Sequence, residues 1–250
     1  MTVGVRHWVR GYLLMLRFDL SSQRTWLPLS VALQLLLGAA MAVVYGFYVP
    51  DLPEVGLLYL VTGAPTVALI PVGLVMVPAL VGQQRTAGTF DFTWSLPVPR
   101  TVTVASTLTV ATLIAVPGVA VTLLLVAWRY GVDLSFSPAF AVAVPLTCLM
   151  TSSVGLGLAH AIGNPVVVNL ISNVLIVVVL LYSPIAFPIE QFPDWLAAVH
   201  EVLPLYHMGV VVRAGLTEGL VGDVGTSYAV VAAWTAAGWA TTALAMRRRA

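Results

Sequence analysis

From Leu134 to Ile189 the chain carries no aspartate, glutamate, lysine or arginine. That run exceeds twice the roughly 20 apolar residues a helix needs to cross a hydrocarbon layer of about 30 Å, so it must cross and return. Other long apolar runs flank it. Reading all of them gives six predicted spans, at about 27–48, 56–82, 102–128, 138–162, 165–187 and 227–246. Lipid offers no partner to a bare backbone amide, so each span is expected to be a helix. The expected fold is an all-α membrane protein filling residues 1–250 as one domain. A soluble alternative fails on composition. The chain is 60% hydrophobic and 8% charged, against about 45–50% and about 25% in soluble domains.

Charge then orients the spans. Every basic residue is arginine, and the segment before the first span, the 83–101 loop and the carboxyl end hold nine of them: Arg6, Arg10, Arg17, Arg24, Arg85, Arg100, Arg247, Arg248 and Arg249. The opposite side has Arg129 and Arg213 alone. Cytoplasmic loops are the arginine-rich ones, so both termini are expected in the cytoplasm of a multi-pass protein of the cytoplasmic membrane. Without a lysine the chain cannot build a G-x-x-x-x-G-K-[ST] phosphate loop, so it is not expected to hydrolyse ATP itself. The first 24 residues have no long apolar region before Trp26 and are expected to remain in the mature protein. Cys148 has no partner cysteine and is expected to be a packed residue.

Three segments outside the spans stand out. Residues 5–20 place Val5, Val9, Tyr12, Leu13, Leu16 and Leu20 on one stripe flanked by Arg6, Arg10 and Arg17. That pattern suits a helix lying flat on the membrane within 1–24, or a basic tail that only sets topology. The 83–101 loop carries Phe90, Phe92 and Trp94 beside charge. Such aromatics form a surface for a partner or a belt at the lipid headgroups. Residues 188–226 hold proline-bounded stretches too short to cross, expected as short re-entrant helices before the last span. Phe187, Pro188, Trp195, Pro204 and Tyr206 there are candidates for an outer gate, with a passive lid as the other reading. Prolines 65, 71, 78, 117 and 145 fall inside spans and predict kinks.

No acidic residue lies deep in a span, which argues against a proton-driven carrier. Gln34, Asn169 and Asn173 are the intramembrane amides, available either to bond helices together or to line a route for an amphiphilic molecule. Thr147, Thr151, Ser152, Ser153, Gly155 and Gly157 give the fourth span a small-residue face, expected at an interface between subunits. His160 lies near the cytoplasmic end of that span, where an anchoring role outweighs a proton relay. No nucleophile elbow, metal-ligand spacing or dinucleotide fingerprint occurs, so an enzyme is not expected. A net charge of +1 gives no footprint for nucleic acid.

Two segments carry a resemblance. The run Gly88-Thr89-Phe90-Asp91 leading into Leu96-Pro97-Val98-Pro99-Arg100 resembles the first cytoplasmic loop of ABC-2 type transporter permeases. Ser183-Pro184-Ile185-Ala186-Phe187-Pro188, then Phe192-Pro193-Asp194-Trp195-Leu196, Leu203-Pro204-Leu205-Tyr206 and Arg213, is similar to the stretch before that family's last span. Gln83 or Gln84 stands where the family's glutamate usually precedes Gly-Thr, and Pro184 replaces a glycine. The resemblance implies the membrane subunit of an exporter of drugs, lipids or polysaccharides. It implies two such subunits, identical or paralogous, facing each other in lipid and two separate ATPase subunits carrying ATP and Mg, with no cofactor on this chain. At the matching loop it implies that Arg85, Gly88, Thr89, Phe90, Asp91 and Arg100 couple ATP hydrolysis to transport, Gly88 by permitting a tight turn and Phe90 by entering an ATPase groove. The expected function is outward transport of a small hydrophobic or amphiphilic compound, as in drug efflux. The rivals are a non-transporting anchor that recruits a cytoplasmic protein, a polysaccharide exporter and a secondary carrier.

Overall fold

The computed structural model describes residues 4–24, 27–48 and 53–247, and among these every regular element is helical. Asp51, Arg248 and Arg249 lie outside the described residues, as do the side chains of Asp91 and Trp94. Helix α1 (Val5–Ser22) is followed by α2 (Leu27–Tyr48) and by a continuous run of α3 (Glu54–Pro71), a π turn (Val72–Met76) and α4 (Val77–Thr86). The short α5 (Thr89–Ser95) leads to α6 (Arg100–Tyr130), α7 (Pro138–Ile162) and α8 (Pro165–Tyr182). A 3₁₀ turn (Ile189–Gln191) precedes α9 (Asp194–Val202), α10 (Pro204–Ala214) and α11 (Val224–Arg247).

Among the described residues five runs are long and apolar enough to cross a membrane: Glu54–Thr86, α6, α7, α8 and α11. Within α2, the stretch Pro28–Leu37 is apolar as well. α9 and α10 form a pair bent by 76°. Helix punctuation follows local chemistry. Gly163, at φ 77°, closes α7, and the Asn164 side chain accepts from the amides of Val166 and Val167 at 3.0 and 3.4 Å. Pro165 supplies the first residue of α8, where its missing N–H costs nothing.

The prolines expected to kink the spans sit inside unbroken helices, as with Pro65 and Pro71 in α3, Pro117 in α6 and Pro145 in α7. Two of them, Pro71 and Pro78, bracket the π turn. A proline lacks the N–H that an i→i−4 bond needs, and the wider turn lets the chain continue past that gap.

α7 is the axis of the bundle, packing chiefly on α11 and also on the π turn. Glycines bring these backbones together: a side chain on Gly73 would overlap Thr151, one on Gly155 would strike the Gly73 carbonyl, and one on Gly238 would meet Ser153. The small-residue face of α7 was expected between subunits. It is instead buried within one chain, because these residues let α7 approach two neighbours at once. Cys148 is fully buried there, as expected.

Candidate functional site

The α4–α5 loop sits at the bundle end where α1, the start of α6 and the end of α11 converge. Gly88 adopts φ 70°, a left-handed conformation that admits glycine without strain, and so reverses the chain between α4 and α5. Thr89 donates back to the Gln84 carbonyl at 3.3 Å, and Thr93 to those of Thr89 and Phe90 at 3.1 and 2.8 Å. These bonds hold a helix of two turns as a rigid unit.

That unit and the residues flanking it tie several spans together. Arg85 donates through Nη1 to the Gly163 carbonyl at the α7–α8 junction, 2.6 Å away, and its guanidinium lies 5.0 Å from the centre of the Phe90 ring. Phe90 is half-buried against the core and 6.1 Å from the His160 ring. His160 donates from Nδ1 to the Leu156 carbonyl at 2.9 Å, which fixes the face its ring presents. Arg100 donates to the Met246 carbonyl at the end of α11, 3.1 Å away. A cavity of about 40 Å³ lies among Gln84, Phe90, Arg100, Leu156 and His160, enough for a water or two. Phe90 was expected to enter a partner's groove; the structure turns it inward and leaves Phe92, 58% exposed, on the outer face. Residues two apart on a helix point to opposite sides, and the sequence alone does not say which of the two rings the core takes.

α1 packs on α6. Trp8 donates to Thr101 at 3.0 Å, Tyr12 and Thr109 share a bond of 2.8 Å, and Ser106 donates to the buried Asp19 carboxylate at 2.5 Å. Burial raises the Asp19 carboxyl to about 6, against a smaller lowering by the Ser106 hydroxyl. Its protein-facing residues are Gly11, Met15 and Asp19. Val5, Val9 and Leu13, predicted on one stripe with Tyr12, Leu16 and Leu20, are exposed.

At the opposite end Arg213 is fully buried. Its Nε donates to Thr62 Oγ1 at 3.0 Å and its Nη2 to the Ile185 carbonyl at 2.6 Å, while the guanidinium lies 3.8 Å from the centre of the Tyr59 ring. Counted in the sequence only as a charge on the side away from the arginine-rich loops, it staples α10 to α3 and to the 183–188 turn. The clue was an arginine at the end of the apolar run Gly209-Val210-Val211-Val212. His200 and His207 add bonds to the Tyr182 and Glu201 carbonyls, both at 2.8 Å.

The outer-gate candidates divide. Pro204 is buried, Phe187, Pro188 and Tyr206 are half-buried, and Trp195 is 68% exposed on α9. The intramembrane amides divide too. Gln34 is buried and donates to the Ile114 carbonyl of α6 at 3.2 Å, in space left by Gly118. Asn169 and Asn173 lie exposed on α8, where Asn173 donates to the Asn169 carbonyl at 2.8 Å.

Several apolar spans, with a compact loop clamped across one end and a bent helix pair at the other, describe a multi-pass membrane protein. A model of the ABC-2 type transporter family matches residues 11–217, most of the chain, and the chain belongs to that family. Members are transporter membrane subunits that typically work with an ABC ATPase. Comparison with individual curated proteins gives no match.

Proposed function

We propose that this chain is the permease subunit of an ATP-driven exporter, moving a hydrophobic or amphiphilic compound outward across the cytoplasmic membrane while a separate pair of ATPase subunits binds ATP and Mg. A second permease subunit, the same chain or a paralogue, completes the assembly. The observation that carries this reading is the clamp around the α4–α5 loop: Arg85 of α4 bonds the α7–α8 junction, Phe90 of α5 packs beside His160 of α7, and Arg100 at the start of α6 bonds the end of α11. Force applied to the exposed face of α5 reaches α7 through Phe90, and the loop's flanking arginines tie the same region to the α7–α8 junction and to α11. The arginine bias places that loop and both termini in the cytoplasm. α1 lies along that surface with Val5, Val9 and Leu13 toward lipid, and α9–α10 is a re-entrant pair forming the outer gate.

The test is co-purification with candidate ATPase subunits, followed by ATP hydrolysis in lipid. A stable complex with hydrolysis stimulated by an amphiphile is expected; a chain that binds no ATPase sinks the reading. The two aromatics of α5 should separate within that assay. Phe92→Ala leaves the permease as stable as before and weakens ATPase association. Phe90→Ala removes a half-buried ring, costs roughly 2 kcal/mol of stability, and lowers stimulated hydrolysis in complexes that still form.

A further inference from the structure

Between the first half of α2 and the π turn lies a cavity of about 240 Å³. Its origin is visible in the packing: α2 leans on α6 and α3 and makes little contact with α4, and the Gln34 amide is drawn toward Ile114 of α6. One long wall is apolar, formed by Leu29 and Leu33 of α2 with Pro71, Val72, Val75 and Met76. Polar groups gather toward the arginine-rich end, where Gln83 near the end of α4 and Gln23 at the end of α1 reach the lining. Gln34 also borders it, with its amide turned away toward Ile114 and Gly118 of α6. No charged side chain lines the cavity among the described residues.

Three properties select an occupant. From Pro71 to Gln83 the helix rises by about 18 Å, a little over half of a hydrocarbon layer of about 30 Å. The cavity therefore belongs to one leaflet, with its amide end toward the headgroups. Its volume falls below the range of about 300–1,000 Å³ typical of drug-sized sites, which suits one flexible chain better than a ring system or two chains. Its lining holds hydrogen-bonding amides and no cation, so a charged phosphate head would be desolvated there without a partner.

We propose that this cavity binds a single-chain amphiphile with an uncharged, hydrogen-bonding head, taken from the leaflet at the arginine-rich end. The head rests against Gln83 and Gln23, and the alkyl tail lies along the π turn. That the site is the entry point for export rests on the function proposed above; that it binds such a molecule does not.

The full-length chain in phosphatidylcholine nanodiscs is photolabelled with an N-alkyl amide carrying a diazirine at the tail end, and labelled residues are mapped by mass spectrometry. Label should concentrate on Leu29–Leu33 and Val72–Leu80 and fall about tenfold with excess unlabelled amide, the change of a site losing about one decade of occupancy. Val75→Trp fills the cavity and should abolish the label. Gln83→Leu keeps the cavity open, guards against misfolding of the first variant, and should weaken labelling by removing the head contact. Label spread over the exposed face of α8, or label that excess amide does not displace because a bilayer acyl chain holds the site, overturns the proposal. Competed label in a complex whose ATP hydrolysis ignores the amide leaves the site standing and removes the export reading. An exporting complex with no specific label does the reverse.

Discussion

Asp19 is a carboxylate held against α6 by one serine hydroxyl, in a pocket that raises its protonation to about 6. The unfolded group titrates near 3.8, so the folded state binds its proton more tightly. Stability from this group is full below about 3.8 and is lost as pH rises through about 6. The pull of Ser106 limits the effect, which stays under about 3 kcal/mol. Asp19→Asn keeps an acceptor for Ser106 and removes the charge. It should raise the thermal midpoint in detergent at about pH 8 and change it little at about pH 4, where the native group is protonated. A midpoint lowered equally at both would show that the carboxylate itself holds α1. Arg213 presents the opposite sign in a drier place. Arg213→Lys keeps a buried charge but cannot span Thr62 and the Ile185 carbonyl with one planar fork, and should cost about 3–5 kcal/mol. Arg213→Met, neutral and of similar length, should melt above the lysine variant. The reverse order would mean that the cation itself is required.

Among the elements, the crossing of the π turn over α7 tolerates the least change. Gly155→Ala would push a methyl into the Gly73 carbonyl, backbone against backbone. Neither side can yield by a rotamer change, so a loss of about 1–3 kcal/mol is expected, read as a lower unfolding midpoint. Gly88→Ala, in open space but at positive φ, should lose less, about 1 kcal/mol. Helix positions were legible in the sequence because membrane spans are long and contrast sharply with charged loops, and the α7–α8 break at Gly163-Asn164-Pro165 was legible from turn chemistry. Facing was not. Lipid and protein interior are equally apolar, so hydrophobicity cannot tell the buried Thr151 face of α7 from a face presented to a neighbour. The same lack of contrast hid the inward turn of Phe90. The bonds of Arg213 were not legible, because its partners Thr62 and Ile185 are distant in sequence and one of them is a backbone carbonyl.

Across the whole molecule α8 is the least covered of the candidate spans, with α11 next. α8 exposes Val166, Leu170, Val174, Val177 and Leu181 along a single stripe, with Asn169 and Asn173 beside it. Valine and leucine are at ease in lipid, but two amides gain from a protein partner. In the paired assembly proposed above, this stripe meets the second subunit. Cysteines placed at Asn173 in a Cys148→Ser background should form a disulfide between copies on mild oxidation; cysteine at Leu13 of α1 should not. Cross-linking at Leu13 in preference to Asn173 would place the pairing surface elsewhere.

Burial of Arg213 also shapes how the folded molecule meets a protease. Trypsin cuts after lysine or arginine, the chain has no lysine, and between Arg129 and Arg247 the one arginine is Arg213. With that side chain fully enclosed, the stretch from Tyr130 to Arg247 offers the enzyme no site while α10 remains seated on α3. A cut after Arg213 is therefore a report on that seat alone, written into the fragment pattern by an outer unit that has come away from the bundle.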